Sequence, residues 1–264
     1  YSSAASDVYK RQGKGVLGKN CERFENFPIL IKLIDAKDNL SVQVHPDNDY
    51  AMRVEGEYGK TEMWYVVDCD EGATLLYGFK HEITKEEFAR RIADNTLLEV
   101  TNAVPVKKGD VFFIKSGTLH AIGKGILIAE IQQNSNTTYR IYDYGRVGKD
   151  GKPRELHVDK ALDVTKLAPA EQYPETPVEK KDGYDIKLLS KCEYFTTYRV
   201  NVETKAELDA DENSFNSILV LEGEPVISGG ETVSAKKGES VFISAGTGKY
   251  TVEGKCTFVL TKID

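Results

Sequence analysis

Across the first half of the chain, short runs of alternating apolar and polar residues are broken by clusters of Gly, Asp, Asn and Lys. That rhythm predicts strands over Phe27–Ile34, Leu40–His45, Glu62–Asp68, Gly72–Phe79, Asp110–Lys115, Gly125–Gln132 and Thr138–Tyr142, as in a barrel or sandwich. In Leu40-Ser41-Val42-Gln43-Val44-His45 the alternation places Ser41, Gln43 and His45 on one face and Val42 and Val44 on the other. Two helices interrupt the strands. Thr84-Lys85-Glu86-Glu87 has capping-box spacing, with Phe88 and Ile92 on one face of a helix ending near Asp94-Asn95. A second helix is expected over Arg154–Val164. The polar, proline-bearing stretch over 169–182 reads as a linker, after which strands resume to the end.

The two halves share a pattern. Lys107-Lys108-Gly109-Asp110-Val111-Phe112-Phe113-Ile114-Lys115-Ser116-Gly117-Thr118-Leu119-His120 aligns without gaps on Lys236-Lys237-Gly238-Glu239-Ser240-Val241-Phe242-Ile243-Ser244-Ala245-Gly246-Thr247-Gly248-Lys249. This is an internal duplication. A Lys-Gly-Asp turn, a Phe-Ile strand and a Ser-Gly-Thr turn resemble a signature of cupin jelly-roll barrels. The resemblance implies an all-β protein of two such barrels, over 13–168 and 183–264.

Composition narrows the function. With 264 residues, 40% hydrophobic and 29% charged, the chain has the make-up of an ordinary globular protein. Its net charge of −7 argues against a nucleic-acid or anionic-membrane surface, which requires clustered Lys and Arg. Cys21, Cys69, Cys192 and Cys256 lack CxxC spacing, so neither a zinc knuckle nor a disulfide framework is indicated and a reducing cytoplasm is expected. No apolar run reaches the roughly 18 residues of a membrane span.

The candidate chemistry lies in Gln43, His45, Glu62 and His120, an N/O donor set suited to one divalent metal, with zinc the first choice. The repeat confines that site to the first barrel. Lys249 stands where His120 stands, and an ammonium has donors but no acceptor. His81 is expected to be solvated, and His157 to pack within the second helix.

At Ser41-Val42-Gln43-Val44-His45-Pro46-Asp47, Gly59-Lys60-Thr61-Glu62-Met63-Trp64-Tyr65, Ser116-Gly117-Thr118-Leu119-His120-Ala121 and Thr138-Tyr139-Arg140-Ile141-Tyr142-Asp143 the chain resembles the type I mannose-6-phosphate isomerases, in their short bacterial form. The resemblance runs from about Gly13 to Ile263. It implies that Gln43, His45, Glu62 and His120 bind zinc, although some bacterial members carry Lys at the position of Gln43. It further implies that Arg140 is the catalytic arginine, that Lys60 and Glu130 line the sugar pocket, and that Ser41, Lys32 and Arg146 hold the substrate phosphate. Aldose–ketose isomerisation needs a base near carbon and positive charge near the oxygens, and either Glu130 or a deprotonated Lys60 could shuttle the proton. Two other readings are an iron-dependent cupin oxygenase and a sugar-binding or regulatory cupin with a structural metal.

The beginning of the chain carries its own expectation. Asp7-Val8-Tyr9-Lys10-Arg11-Gln12 is the in-frame translation of the sequencing-adapter sequence GATGTGTATAAGAGACAG. Residues 1–12 are therefore expected to be non-native, and the strands that open the first barrel in short family members to be missing, which would leave a sheet edge exposed and reduce activity.

Overall fold

A computed structural model describes residues 13–148 and 151–264 of the chain. The expectation that residues 1–12 are non-native lies outside the described residues. The chain divides into two compact units, one spanning 30–173 and the other joining 13–29 to 174–264. The expected first barrel, over 13–168, includes residues 13–29. They are tied instead to the second unit, through Lys19 N–H to Glu212 O (3.1 Å), Asn20 N–H to Asn213 O (2.9 Å) and Ala245 N–H to Val16 O (2.9 Å).

The first unit is built from β1 (Ile29–Ala36), β2 (Val42–Val44), β3 (Glu62–Cys69), β4 (Thr74–Phe79), β5 (Thr101–Pro105), β6 (Val111–Ile114), β7 (His120–Ala121), β8 (Ile126–Gln133) and β9 (Tyr139–Tyr142). They form two sheets, in the orders β1-β8-β3-β6 and β5-β4-β7-β2-β9. Trp64, Val66, Leu75, Ile114, Ile126 and Ile128 form one buried cluster. A second gathers Val42, Val44, Leu119, Ala121, Tyr139 and Ile141 with Phe88 and Ala161 from the helices. The apolar face of β2 is therefore sealed under helices, which turns Gln43 to the opposite face.

Among the described residues three α-helices accompany the strands: α1 (Asn48–Val54), α2 (Lys85–Ala93) and α3 (Val158–Val164). α2 follows its capping signal, with Thr84 Oγ1 accepting the Glu87 N–H at 3.1 Å, a cap worth about 1 kcal/mol. Its Phe88 is fully buried. α1 was not anticipated, although Asp47 caps it by accepting the Tyr50 N–H at 2.8 Å. The second expected helix starts at Val158 rather than Arg154. Residues 155–157 cannot enter it because their backbone is spent on Arg140: His157 N–H donates to Arg140 O, and Glu155 O accepts from Arg140 Nη1.

The second unit contains β10 (Val178–Lys181), β11 (Tyr184–Lys191), β12 (Thr196–Val202), β13 (Lys205–Ala210), β14 (Asn216–Gly223), β15 (Val226–Gly229), β16 (Glu231–Ser234), β17 (Ser240–Ile243), β18 (Gly248–Glu253) and β19 (Cys256–Lys262). Its sheets run β10-β11-β12-β19-β14-β17 and β13-β18-β15-β16 around Val200, Ile218, Val220, Tyr250, Val252 and Phe258. β10 lies inside the expected linker. Asp182-Gly183, with Gly183 at φ 82°, closes a two-residue hairpin that pairs Lys181 with Tyr184 and Val178 with Lys187.

The sequence repeat is a structural repeat. Lys107 N–H bonds Asp110 Oδ2 at 2.9 Å, and Lys236 N–H bonds Glu239 Oε2 at 3.0 Å. Gly109 and Gly238, both in the left-handed region, donate to Val66 O on β3 and Val220 O on β14. Glu62 then pairs with Ile114 as Asn216 pairs with Ile243, so Asn216 occupies the place of Glu62.

Gly59 joins α1 to the strand that carries Glu62. A Cβ there would lie 2.3 Å from Asp47 C and 2.6 Å from Asn48 N, both backbone atoms. Gly59→Ala is expected to cost roughly 1–3 kcal/mol, a fall of several degrees in the calorimetric midpoint. Gly15→Ala, facing open space, should stay within about 0.5 kcal/mol of the parent.

Candidate metal centre

His45, Glu62 and His120 come from three separate parts of the chain and meet inside the first unit, each at most 1% exposed. One ligand atom from each lies within 4.8 Å of the others, and among the described residues no other His, Cys, Asp and Glu group does this. Strand geometry explains the convergence. Glu62 opens β3 facing inward, while Gln43 on β2 is directly opposite His120 on β7, so these two share a face.

The imidazoles are oriented by backbone carbonyls. His45 Nδ1 is 3.1 Å from Thr137 O and His120 Nδ1 is 2.8 Å from Thr118 O. A carbonyl only accepts, so both Nδ1 atoms carry the proton and both Nε2 lone pairs face the centre. Those Nε2 atoms approach Glu62, His45 at 3.6 Å from Oε2 and His120 at 3.3 Å from Oε1. The Lys60 ammonium stands 2.8 Å from Glu62 Oε2 as an ion pair, outside hydrogen-bonding angles. His45 Nε2, His120 Nε2 and both Glu62 oxygens are buried without a hydrogen-bond partner. Four orphaned electron-pair donors, neutral or anionic and aimed at one point, fit a divalent cation.

Electrostatics keep the donors in their metal-binding protonation states. Burial, reinforced by the Lys60 charge, pushes His45 down to about 3, and burial also lowers His120. Burial works to raise Glu62, but the Lys60 ammonium outweighs it and holds the carboxyl well below its ordinary value. Lys60 is likewise penalised by burial, yet Glu62 and Glu130 together raise it. Among protein groups, then, Lys60 is an ammonium. Glu130 goes the other way, raised by burial and by the Glu62 charge despite Lys60 and Lys32.

The remaining expected site residues fall into two groups. Glu130 sits beside the centre, its Oε1 3.7 Å from Lys60 Nζ and 3.1 Å from Lys32 Nζ, its Oε2 accepting the Trp64 indole N–H at 3.0 Å. Lys32 also bonds Gln132 Oε1 at 2.5 Å. Arg140 is opposite Gln43 across β2 and β9, where a bulge at Val42/Gln43 sets the register. Arg146 is held elsewhere, by Asp143 and by Asn39 O at 2.6 Å, and Arg154 joins it on the same Asp143 carboxylate. Ser41 is buried immediately before β2. His81 is exposed, as expected. His157 is not helical packing: its Nδ1 accepts the Arg140 backbone N–H at 3.1 Å.

Sequence reasoning assigned no role to Trp64, Gln132 or Asp143. The first two were within reach, because Glu62–Trp64 and Glu130–Gln132 are both i, i+2 pairs and β3 pairs Glu62 with Gln132 and Trp64 with Glu130. In the second barrel the counterpart of the Glu62–His120 contact is Asn216 donating to the Tyr250 hydroxyl at 3.0 Å. Lys249, aligned with His120, is exposed, because the left-handed Gly248 at the position of Leu119 shifts the inward side chain to Tyr250. The neutral amide and hydroxyl satisfy each other and leave no ligand set.

A repeated antiparallel barrel pattern defines a cupin, and among the described residues its one buried His/Glu/His group could hold a metal. The chain belongs to the type I mannose-6-phosphate isomerase family. The profile "Phosphomannose isomerase type I, catalytic domain" matches residues 3–72, and "Mannose-6-phosphate isomerase, cupin domain" matches 185–263. Mannose-6-phosphate isomerase ManA of Bacillus subtilis (strain 168) is 40% identical over 241 residues, 90% of this chain and 76% of that protein. The Streptococcus mutans mannose-6-phosphate isomerase is 41% identical over 219 residues, 82% of this chain and 68% of its own length. A crystal structure of the Bacillus subtilis mannose 6-phosphate isomerase superposes with a TM-score of 0.90 at 36% identity, covering 96% of this chain and 80% of that one. No helix among the described residues is long and apolar enough to cross a membrane.

The pH dependence of stability follows from these shifts. The unfolded chain protonates His45 below its ordinary 6.5, whereas the folded chain resists down to about 3, so stability is lost as pH falls through that interval. Glu62, held below 4.5, adds loss of the same sign at the acid end. Urea unfolding of chelator-treated protein should show a lower midpoint at pH 5 than at pH 7, and His45→Asn should flatten the difference.

Proposed function

We propose that the chain interconverts mannose 6-phosphate and fructose 6-phosphate, using one zinc ion held by His45, Glu62, His120 and the Gln43 side chain. The observation that carries this reading is the set of four orphaned donor atoms on His45, Glu62 and His120, in a chain that belongs to a family of isomerases. Zinc, when bound, supplies Lewis-acid polarisation of the sugar oxygens.

The protein groups divide the remaining work by their charge states. Glu130, its proton affinity raised by burial and by the Glu62 charge, is the base that takes the proton from carbon 2 and returns it to carbon 1. The indole of Trp64 fixes one of its oxygens and leaves the other beside the two ammonium groups. Lys60 remains protonated and stabilises the negative charge that develops on the enediolate oxygens. Arg140 donates from its buried, unpartnered Nε to the sugar oxygens as the ring opens. The phosphate is assigned to Ser41, Lys32 and Arg146, where Lys32 exchanges its bonds to Glu130 and Gln132, and Arg146 its bonds to Asp143 and Asn39, for the phosphate oxygens. A reducing cytoplasm suits the four unpaired cysteines.

In a coupled assay, isomerase activity should disappear with chelation and return with zinc at one ion per chain. Arg140→Ala should retain zinc but lower kcat on the order of 10²–10³-fold, the usual cost of removing a preorganised oxyanion donor. An Arg140→Ala enzyme of undiminished kcat would remove the arginine from this role.

A further inference from the structure

Arg140 is on β9, an outer strand of the sheet β5-β4-β7-β2-β9. The outward backbone N–H and C=O of such a strand have no ladder partner of their own. At Arg140 both are taken by one residue: the N–H donates to His157 Nδ1 at 3.1 Å, and the C=O accepts the His157 N–H at 2.8 Å. His157 thus does what a further strand would do, with an imidazole nitrogen in place of a carbonyl. Two residues earlier, Glu155 O accepts Arg140 Nη1 at 3.0 Å, so the same segment fixes the guanidinium as well as the backbone. The segment is anchored in turn. His157 is the N-cap residue of α3, its carbonyl accepts the Ala161 N–H at 3.0 Å, and Ala161 is fully buried. With Nη1 tied back, the guanidinium presents Nε, which is buried and has no partner in the protein.

We propose that His157 is a positioning residue for Arg140, acting through the acceptor lone pair of Nδ1, which holds the arginine backbone while the Glu155 carbonyl holds Nη1 and leaves the buried Nε free for substrate. This rests on the reading of Arg140 as the catalytic arginine. An acceptor, and not an imidazole as such, is what the geometry requires. Asparagine, whose Oδ1 is spaced from Cα much like Nδ1, preserves it, and alanine does not.

The test measures kcat, KM, zinc content and thermal midpoint for His157→Ala and His157→Asn, alone and combined with Arg140→Ala. His157→Ala is expected to lower kcat roughly 10–100-fold, the scale of a small misplacement of a catalytic group, with zinc content unchanged and KM moved far less. His157→Asn should recover most of the rate. In the Arg140→Ala background the His157→Ala change should have almost no further effect on kcat, because residues acting as a unit are not additive. Equal loss in both backgrounds, or equal impairment by alanine and asparagine, would show a general structural role and overturn the proposal, as would a His157→Ala kcat within about twofold of the parent. Full activity of Arg140→Ala alone would sink the underlying reading of the arginine, an outcome distinct from these.

Discussion

A carboxylate with no exposed surface needs compensating charge, and Glu62 is such a carboxylate, set between two neutral imidazoles with the Lys60 ammonium 2.8 Å away. Most of the first barrel's inner face can be read as the consequence of keeping that charge. The buried Lys60 ammonium is kept charged by Glu62 and Glu130, and Glu130 carries a raised proton affinity because it is buried and because Glu62 is ionised beside it. Lys32 is drawn to Glu130 in turn. The histidines remain neutral because burial and Lys60 forbid a second positive charge. One ionised group thereby sets the states of its neighbours, and leaves two imidazole nitrogens and two carboxylate oxygens buried together, with the Lys60 ammonium as the only protein cation beside them. Such a cluster is costly without a cation, which is the signature of a site kept for chemistry rather than stability.

The second barrel shows the same scaffold without that constraint. Its turn, register and strand pairing reproduce the first copy, yet Asn216 replaces Glu62 and pairs with Tyr250. A neutral pair that satisfies itself needs neither an ammonium nor a cation. The duplicated backbone therefore specifies where inward groups stand, and the residue types decide whether they bind metal.

Much of this was legible in the sequence because strand periodicity is local. Val42 and Val44 bury on one face as the alternation requires, and the capping residues of α2 mark its start. The three metal-centre residues were legible for the same reason, since each sits in its own short motif. What was not legible depended on pairing across the chain. Arg154–His157 has helical composition, but its backbone is captured by Arg140 on β9, and no local propensity competes with two strand-like hydrogen bonds at a sheet edge. Lys32 carries no sign of whether it faces a phosphate or Glu130 until β1 is placed beside β8. The exposure of Lys249 turns on one left-handed glycine. Asp182-Gly183 was a readable hairpin signal submerged in a proline-rich stretch.

Lys60 also links Glu62 of the candidate metal centre to Glu130. Its ammonium stands between Glu62 and Glu130, 2.8 Å from one and 3.7 Å from the other. A cation held by Glu62 would screen that carboxylate and repel the ammonium, and the attraction of Lys60 would then shift towards Glu130. The like-charge push that Glu62 exerts on Glu130 weakens at the same moment. Both changes lower the proton affinity of Glu130, which favours its ionised, proton-accepting form when the centre is loaded. Without a cation, the same contacts hold Glu130 nearer its protonated form. On the proposed reading of Glu130 as the base, two carboxylates around one lysine would tie its readiness to occupancy of the His45, Glu62 and His120 group.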